Sequence, residues 1–207
     1  MITMDSQIKN ISAWLGTGAI NIFGRPFAGK DTQGHLLADA FGGVLVAGGD
    51  ILRSHHDPEK IKRILAEGGL IPSDFYFNLV LPYLAQPAFK HKPLILSSVG
   101  RSQGEELTIM KATSTSGHPM KAVVILALSE AEVWRRFEAV KIVGDRDGRT
   151  DDHREVLKNR LKKFQDKTMP VIEYYRGMGL LVEVDGTLSR EEVTQEILAS
   201  LALRAKS

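Results

Sequence analysis

Apolar residues along the chain fall into two kinds of pattern. Five short, mostly apolar runs have the length and β-branched content of buried strands: Ala19 to Phe23, Val44 to Ala47, Leu94 to Ser97, Ala122 to Leu128 and Leu180 to Val184. Between them, apolar positions recur at helical spacing. Leu157, Leu161 and Phe164 make one stripe, and Val193, Ile197 and Leu201 make another. Ile61, Ile64 and Leu65 repeat on one face after Asp57-Pro58, with Pro58 at a first helical position, until Gly68-Gly69 stops the run. Ser189 and Glu192 have the spacing of a capping box, which predicts a helix start just before the last stripe. A further helix is predicted over 132–141. The polar stretch Gly144 to Thr150 reads as an exposed loop between two helices, placed where a mobile flap can hang. Strands that alternate with helices predict an α/β fold, a five-stranded parallel sheet with helices on both faces. Residues 1–18 precede the first strand as an N-terminal extension with no assigned element.

Composition narrows the class. With 207 residues and 43% hydrophobic content, the chain can bury one sizeable core, so residues 19–203 are expected to form a single domain. The absence of cysteine excludes disulfides and thiolate metal sites and suits a reducing compartment. Ala122 to Leu128 is the longest uninterrupted apolar run, far short of the roughly 18 residues that a membrane span needs. Residues 1–17 lack the basic start and apolar stretch of a secretory signal. A net charge of +2, with basic residues interspersed among acids, leaves no electrostatic footprint for nucleic acid. The chain is therefore expected to be a cytoplasmic monomer with neither nucleic-acid nor membrane partners.

Chemistry concentrates where the first strand ends. Gly24-Arg25-Pro26-Phe27-Ala28-Gly29-Lys30 is a G-x-x-x-x-G-K string between a predicted strand and a predicted helix. Backbone amides and a lysine so arranged surround phosphate oxygens at a helix N-terminus. Asp31 stands where Ser or Thr is usual, and the hydroxyl follows one residue later at Thr32, the expected magnesium ligand. The alternative is an ordinary glycine-rich turn, and the strand before and helix after argue against it.

Four downstream strings become legible beside this one, and together they resemble the adenylate kinase and nucleoside monophosphate kinase family over residues 19 to 203. That family's phosphate loop is GxPGSGKGTQ, which GRPFAGKDTQ follows at Gly24, Pro26, Gly29, Lys30, Thr32 and Gln33. GGDILR at 48–53 is similar to the segment whose arginine, here Arg53, holds the acceptor monophosphate. GGLIPSD at 68–74 resembles the turn that contacts the acceptor nucleoside, implicating Gly69, Leu70 and Ile71. GRTDDHREVLKNRL at 148–161 resembles the end of the lid, which gives Arg149 and Arg160 the role of phosphate clamps. VDGT at 184–187 resembles the last strand end, where backbone near Leu188 contacts the donor base.

The resemblance implies a three-layer P-loop NTPase fold with an acceptor-binding segment at 48–77 and a short lid at 141–152. It implies transfer of the γ-phosphoryl group of ATP-magnesium to a nucleoside monophosphate, AMP or one with another base. Gly24, Phe27, Ala28, Gly29, Lys30, Asp31 and Thr32 would cradle the donor. Lys30, Arg101, Arg149 and Arg160 would stabilise the charge that develops on the transferring group. Arg149 and Arg160 are eleven residues apart, about three helical turns, which places them on one helical face. Asp151 and Asp152 either orient the lid arginines or simply complement a helix N-terminus. The lid is too brief for the zinc-bearing insertion of some members, so no zinc is expected, and Arg135, Arg136 and Arg146 are further lid-arginine candidates.

Departures from the pattern bear on mechanism. Where the family carries DGFPRTxxQ, this chain has Ser97-Ser98-Val99-Gly100-Arg101-Ser102-Gln103-Gly104-Glu105. Arg101 is retained as an acceptor-phosphate ligand, but the magnesium-organising aspartate aligns with Ser97, whose hydroxyl can reach the metal only through a bound water. Glu105 aligns with the glutamine that pairs with adenine, and an ionised carboxylate only accepts hydrogen bonds. It suits the donors of guanine or cytosine, so the acceptor is open. Gly48 replaces a threonine near the acceptor phosphate, removing a hydrogen bond worth about 0.5–1.5 kcal/mol. Asp31 replaces a glycine, and a carboxylate 4 Å or so from a phosphate costs on the order of 1–4 kcal/mol. It must point away, contact magnesium, or pair with a base such as Arg25 or Lys30. These departures keep two rivals open, a nucleotide-binding module without catalysis and a kinase of a small non-nucleotide metabolite. The histidines lack metal-ligand spacing, and Trp14 and Trp134 are read as packing residues.

Overall fold

A computed structural model of the chain describes residues 4–53, 73–143 and 154–206. Five parallel strands form its sheet: β1 (Ala19–Gly24), β2 (Val44–Ala47), β3 (Leu94–Ser97), β4 (Met120–Ala127) and β5 (Leu181–Asp185), in the spatial order β2-β3-β1-β4-β5. All five predicted runs are strands. β4 starts two residues before its apolar run because Met120 pairs with Ala19 through the backbone, which needs no apolar side chain.

β1 is central and buried along its whole length. Alternation splits its side chains between two layers. Ile20 and Ile22 meet α1 (Met4–Leu15), α2 (Lys30–Phe41) and α9 (Arg190–Arg204) in one cluster with Ile11, Leu15, Leu37, Ile197 and Leu201. On the opposite face, Ala19 joins α4 (Ser73–Leu84) and α5 (Glu105–Thr115), and Phe23 joins α8 (Met169–Gly177). The fold is thus a three-layer α/β sandwich, with a parallel sheet covered on both faces. The remaining helices are α3 (Gly48–Arg53), α6 (Glu130–Val143) and α7 (Arg154–Lys163), the last running into a π-helical turn at Phe164–Thr168.

The capping box forms as read. Ser189 Oγ accepts from the Glu192 amide at 3.3 Å, and a Glu192 carboxylate oxygen accepts from the Ser189 amide at 3.0 Å. Leu157, Leu161 and Phe164 are buried, as are Val193, Ile197 and Leu201. The predicted 132–141 helix runs over Glu130–Val143. His118 is buried with Nδ1 2.8 Å from the Thr17 carbonyl, a packing role, and Trp134 meets Phe137 edge-on at 5.7 Å. The helical pattern after Pro58, and the loop Gly144 to Thr150, lie outside the described residues.

The N-terminal extension is helical, and its signal is Ile8, Ile11 and Leu15 at i, i+3 and i+7. Ile11 is 0% and Leu15 1% exposed against α9 and α2. Burial of such side chains stabilises by about 1.5–3 kcal/mol each, so α1 belongs energetically to the core. Ile11→Ala is expected to lower unfolding free energy by about 2–5 kcal/mol in urea titration. A loss under about 1 kcal/mol would show that α1 docks only loosely.

Candidate functional site

Parallel strands all point their C-terminal ends one way, and ligands of such sheets bind in the crevice beyond those ends. Here that edge gathers the loop from β1 to α2, the ends of β2 and β3, the start of α6 and the turn after β5.

The β1–α2 loop is the cradle read from the sequence. Gly29, at φ 85°, takes the left-handed conformation that glycine adopts without a Cβ penalty, and α2 starts at the next residue. Its carbonyl accepts from the Gln33 amide at 3.0 Å, and Lys30 Nζ donates to the Arg25 carbonyl at 3.0 Å, folding the lysine back over the loop. Phe27 is also left-handed, at φ 64°. For a residue with a Cβ that conformation costs about 1–2 kcal/mol, so something must hold it. The ring packs edge-on against Phe137 of α6 at 5.8 Å, and the Phe27 carbonyl accepts from Arg136 at 3.1 Å. Arg25 donates to the Leu128 carbonyl and lies over the Phe164 ring at 5.5 Å.

Arg136 turns the start of α6 into a strap. It also donates to the Gly186 carbonyl at 2.6 Å and pairs with Glu132 at 2.8 Å. One guanidinium therefore joins the cradle to the turn that leads to Leu188. Hydrogen bonds from Arg135 and Arg136 pull the Glu132 carboxyl down to about 2, so it stays ionised. Arg136 was one of three lid-arginine candidates, and its fork-shaped donor set serves the cradle floor. Gln33, matched only as part of the motif, bridges α2 to α9: it donates to the Arg190 carbonyl at 2.9 Å and accepts from Thr194 at 2.8 Å.

The loop after β3 is fixed from several elements at once. Buried Asn21 of β1 donates to the Val99 carbonyl at 2.7 Å and accepts from the Val99 amide at 3.4 Å. The Gly100 amide donates to Tyr76 Oη of α4 at 3.2 Å, and Thr168 of the π-helical turn donates to the Arg101 carbonyl at 2.9 Å. The Ser102 amide donates to a Glu105 carboxylate oxygen at 3.0 Å, and burial raises the Glu105 carboxyl above its ordinary value. These bonds pin the backbone on both sides of Arg101, whose side chain is exposed at the edge of the crevice. The Tyr76 hydroxyl, raised by burial, stays protonated. Nothing in the sequence reading marked Asn21, Tyr76 or Thr168; a polar residue inside an apolar strand was the available signal at Asn21.

The two departures at the cradle meet. Ser97 is paired across the sheet with Ile22 on one side and Ala47 on the other, and its Oγ donates to Asp31 Oδ1 at 2.8 Å. Thr32 follows Asp31 in the exposed first turn of α2. At the end of β2, a Cβ on Gly48 would stand 3.1 Å from the Ser98 carbonyl oxygen, closer than most side chains tolerate. The close passage of the β3 loop is thus a physical reason for glycine there.

Arg53 closes α3 by its backbone, and Arg160 lies half-buried on α7. The Arg53 side chain, together with Gly69, Leu70, Ile71, Arg146, Arg149, Asp151 and Asp152, lies outside the described residues. No cluster of three or more metal-binding side chains occurs among the described residues.

Comparison with known proteins agrees with this architecture. The family model for adenylate kinase matches residues 22–180. An adenylate kinase of Thermus thermophilus is 31% identical over 190 residues, covering 89% of this chain and 97% of that protein. Those of Parvibaculum lavamentivorans and Thermobifida fusca are 32% and 30% identical, covering 88% and 89% of this chain and 91% and 98% of theirs. By the sheet order, the glycine-rich loop at the end of β1 and these matches over most of its length, the chain belongs to the adenylate kinase family and is an ATP-dependent nucleoside monophosphate kinase.

Proposed function

We propose that the crevice binds ATP-magnesium at the β1–α2 cradle and a nucleoside monophosphate against the β3 loop, and that the γ-phosphoryl group passes between them. The observation that carries this reading is the convergence of Lys30, Thr32 and Arg101 on one edge of the sheet, each on backbone fixed by the fold. Lys30 and the cradle amides hold the donor phosphates, and Arg136 holds the cradle against the Leu188 turn where the donor base lies. Arg101 and Arg53 grip the acceptor phosphate, and Arg149 with Arg160 neutralise the transferring group. Such catalysis is mostly positioning and electrostatics, and the bonds to Val99, Gly100 and Arg101 supply the positioning.

The oxygen-rich groups at the head of α2 fit magnesium, a hard cation held by one or two carboxylates together with phosphates and waters. When bound, the ion neutralises charge on the donor phosphates.

Two observations bear on the acceptor base. The relatives named above are adenylate kinases, which favours AMP. Glu105 accepts from its own loop at Ser102 and is raised by burial. On the ground of those relatives AMP is the favoured acceptor, with a guanine or cytosine monophosphate, whose donors suit the Glu105 carboxylate, as the alternative. Further features of the proposal are an acceptor segment at 48–77, a short lid at 141–152 and a cytoplasmic monomer without nucleic-acid partners. No helix among the described residues is long and apolar enough to cross a membrane.

A coupled ADP-formation assay with ATP-magnesium and AMP, GMP, CMP, UMP or dTMP tests the reading. Turnover is expected with AMP, and Lys30→Ala is expected to abolish it. Silence across all five, with ATP still bound, would favour a non-catalytic nucleotide module or a non-nucleotide acceptor.

Arg136→Ala should raise the Kd for ATP about tenfold, as loss of charge-assisted hydrogen bonds worth about 1.5–3 kcal/mol allows. The KM for the monophosphate should change little. An unaltered ATP affinity would remove Arg136 from the donor side.

A further inference from the structure

We propose that the metal-side carboxylate of this kinase has moved from the end of β3 to the head of α2, so that Asp31 faces the donor's magnesium and Ser97 orients it. The inference rests on the reading of the cradle as an ATP-magnesium site. P-loop phosphotransferases hold magnesium between a hydroxyl of the loop and an aspartate elsewhere in the site. In this chain the end of β3, beside the cradle, carries Ser97, which has no charge to offer.

The missing charge has a source one hydrogen bond away. Ser97 is buried, at 6% exposure, while Asp31 is exposed in the first turn of α2 next to Thr32. The hydroxyl donates to Asp31 Oδ1 at 2.8 Å. That bond engages one carboxylate oxygen and fixes the rotamer, as outer groups do for metal ligands. A buried neutral donor behind an exposed anion is the arrangement of an orienting group and the ligand it aims.

Electrostatics gives the same direction. Asp31 adjoins Lys30 in a loop built for phosphate, where an unscreened carboxylate opposes the ligand. With a divalent cation between carboxylate and phosphate the repulsion becomes an attraction to a shared ion. Asp31 therefore makes nucleotide binding depend more steeply on magnesium than a glycine there would. The two substitutions, Asp for Gly at 31 and Ser for Asp at 97, act as one exchange: the same net charge, relocated across a single hydrogen bond.

The test reads binding, with turnover left aside. Calorimetric titration of the full chain with a non-hydrolysable ATP analogue, with and without magnesium, gives the affinity gained from the metal. Electron paramagnetic resonance of Mn2+ with the same nucleotide reports the ion directly. Asp31→Asn, isosteric at an exposed position, should lower the metal-dependent gain tenfold or more while leaving metal-free binding unchanged or tighter. Ser97→Ala should lower it less, and D31G/S97D should restore it. Metal dependence in Asp31→Asn equal to the parent would overturn the assignment and leave the kinase reading standing. No binding of the analogue by the parent protein would instead overturn the nucleotide reading on which the assignment depends.

Discussion

Pairing of β1 with β3 sets the geometry of the whole site. In that register Ile22 lies opposite Ser97, the last residue of β3, and β1 runs only two residues further to Gly24, so the loops that follow the two strands emerge side by side. One loop is the proposed phosphate cradle and the other carries Arg101. Because β1 is buried on both faces and hydrogen-bonded on both edges, a one-residue slip would turn Ile20 and Ile22 out of one core and Phe23 out of the other. Apolar burial therefore fixes where the β1–α2 loop and the β3 loop stand relative to each other.

On that frame the polar residues act mainly as fasteners. Asn21 and Thr168 donate to backbone carbonyls of the β3 loop, and Tyr76 and Glu105 accept from its amides. Arg136 does the same for the cradle and the turn after β5. Phe27, held left-handed by its ring contact and by Arg136, makes the cradle rigid at the cost of backbone strain. Strain of this kind persists only where the surroundings over-determine it, and here two elements do so. A cradle preset in this way loses little entropy when it closes on phosphates.

The sheet was legible because each strand is a compact apolar run and parallel strands are buried on both faces. The strand-to-helix turn of the proposed cradle was legible because a left-handed residue just before α2 favours glycine at position 29. Helix α1 was missed although Ile8, Ile11 and Leu15 are correctly spaced and Gly16, left-handed at φ 53°, stops the helix, because three apolar positions in a mostly polar segment make a weak stripe. Tyr76 and Thr168 were invisible for another reason, and Asn21 showed only as a polar residue inside an apolar strand: each acts on a backbone group far away in the chain, a relation that only the fold supplies. Asp31 and Ser97 are the clearest case. Each looked like a defect by itself, and their contact, 66 residues apart, gives them a common meaning.

In the proposed arrangement one crevice, set by the β1–β3 register, holds both substrates. A crystal structure of the chain with ATP-magnesium and the monophosphate that supports turnover, using a non-hydrolysable donor, tests it most directly. Donor phosphates are expected within hydrogen-bond distance of Lys30 and the cradle amides, with the acceptor phosphate against Arg101. Nucleotide bound away from the β1–α2 loop, or an acceptor phosphate on a face that Arg101 does not reach, would contradict it.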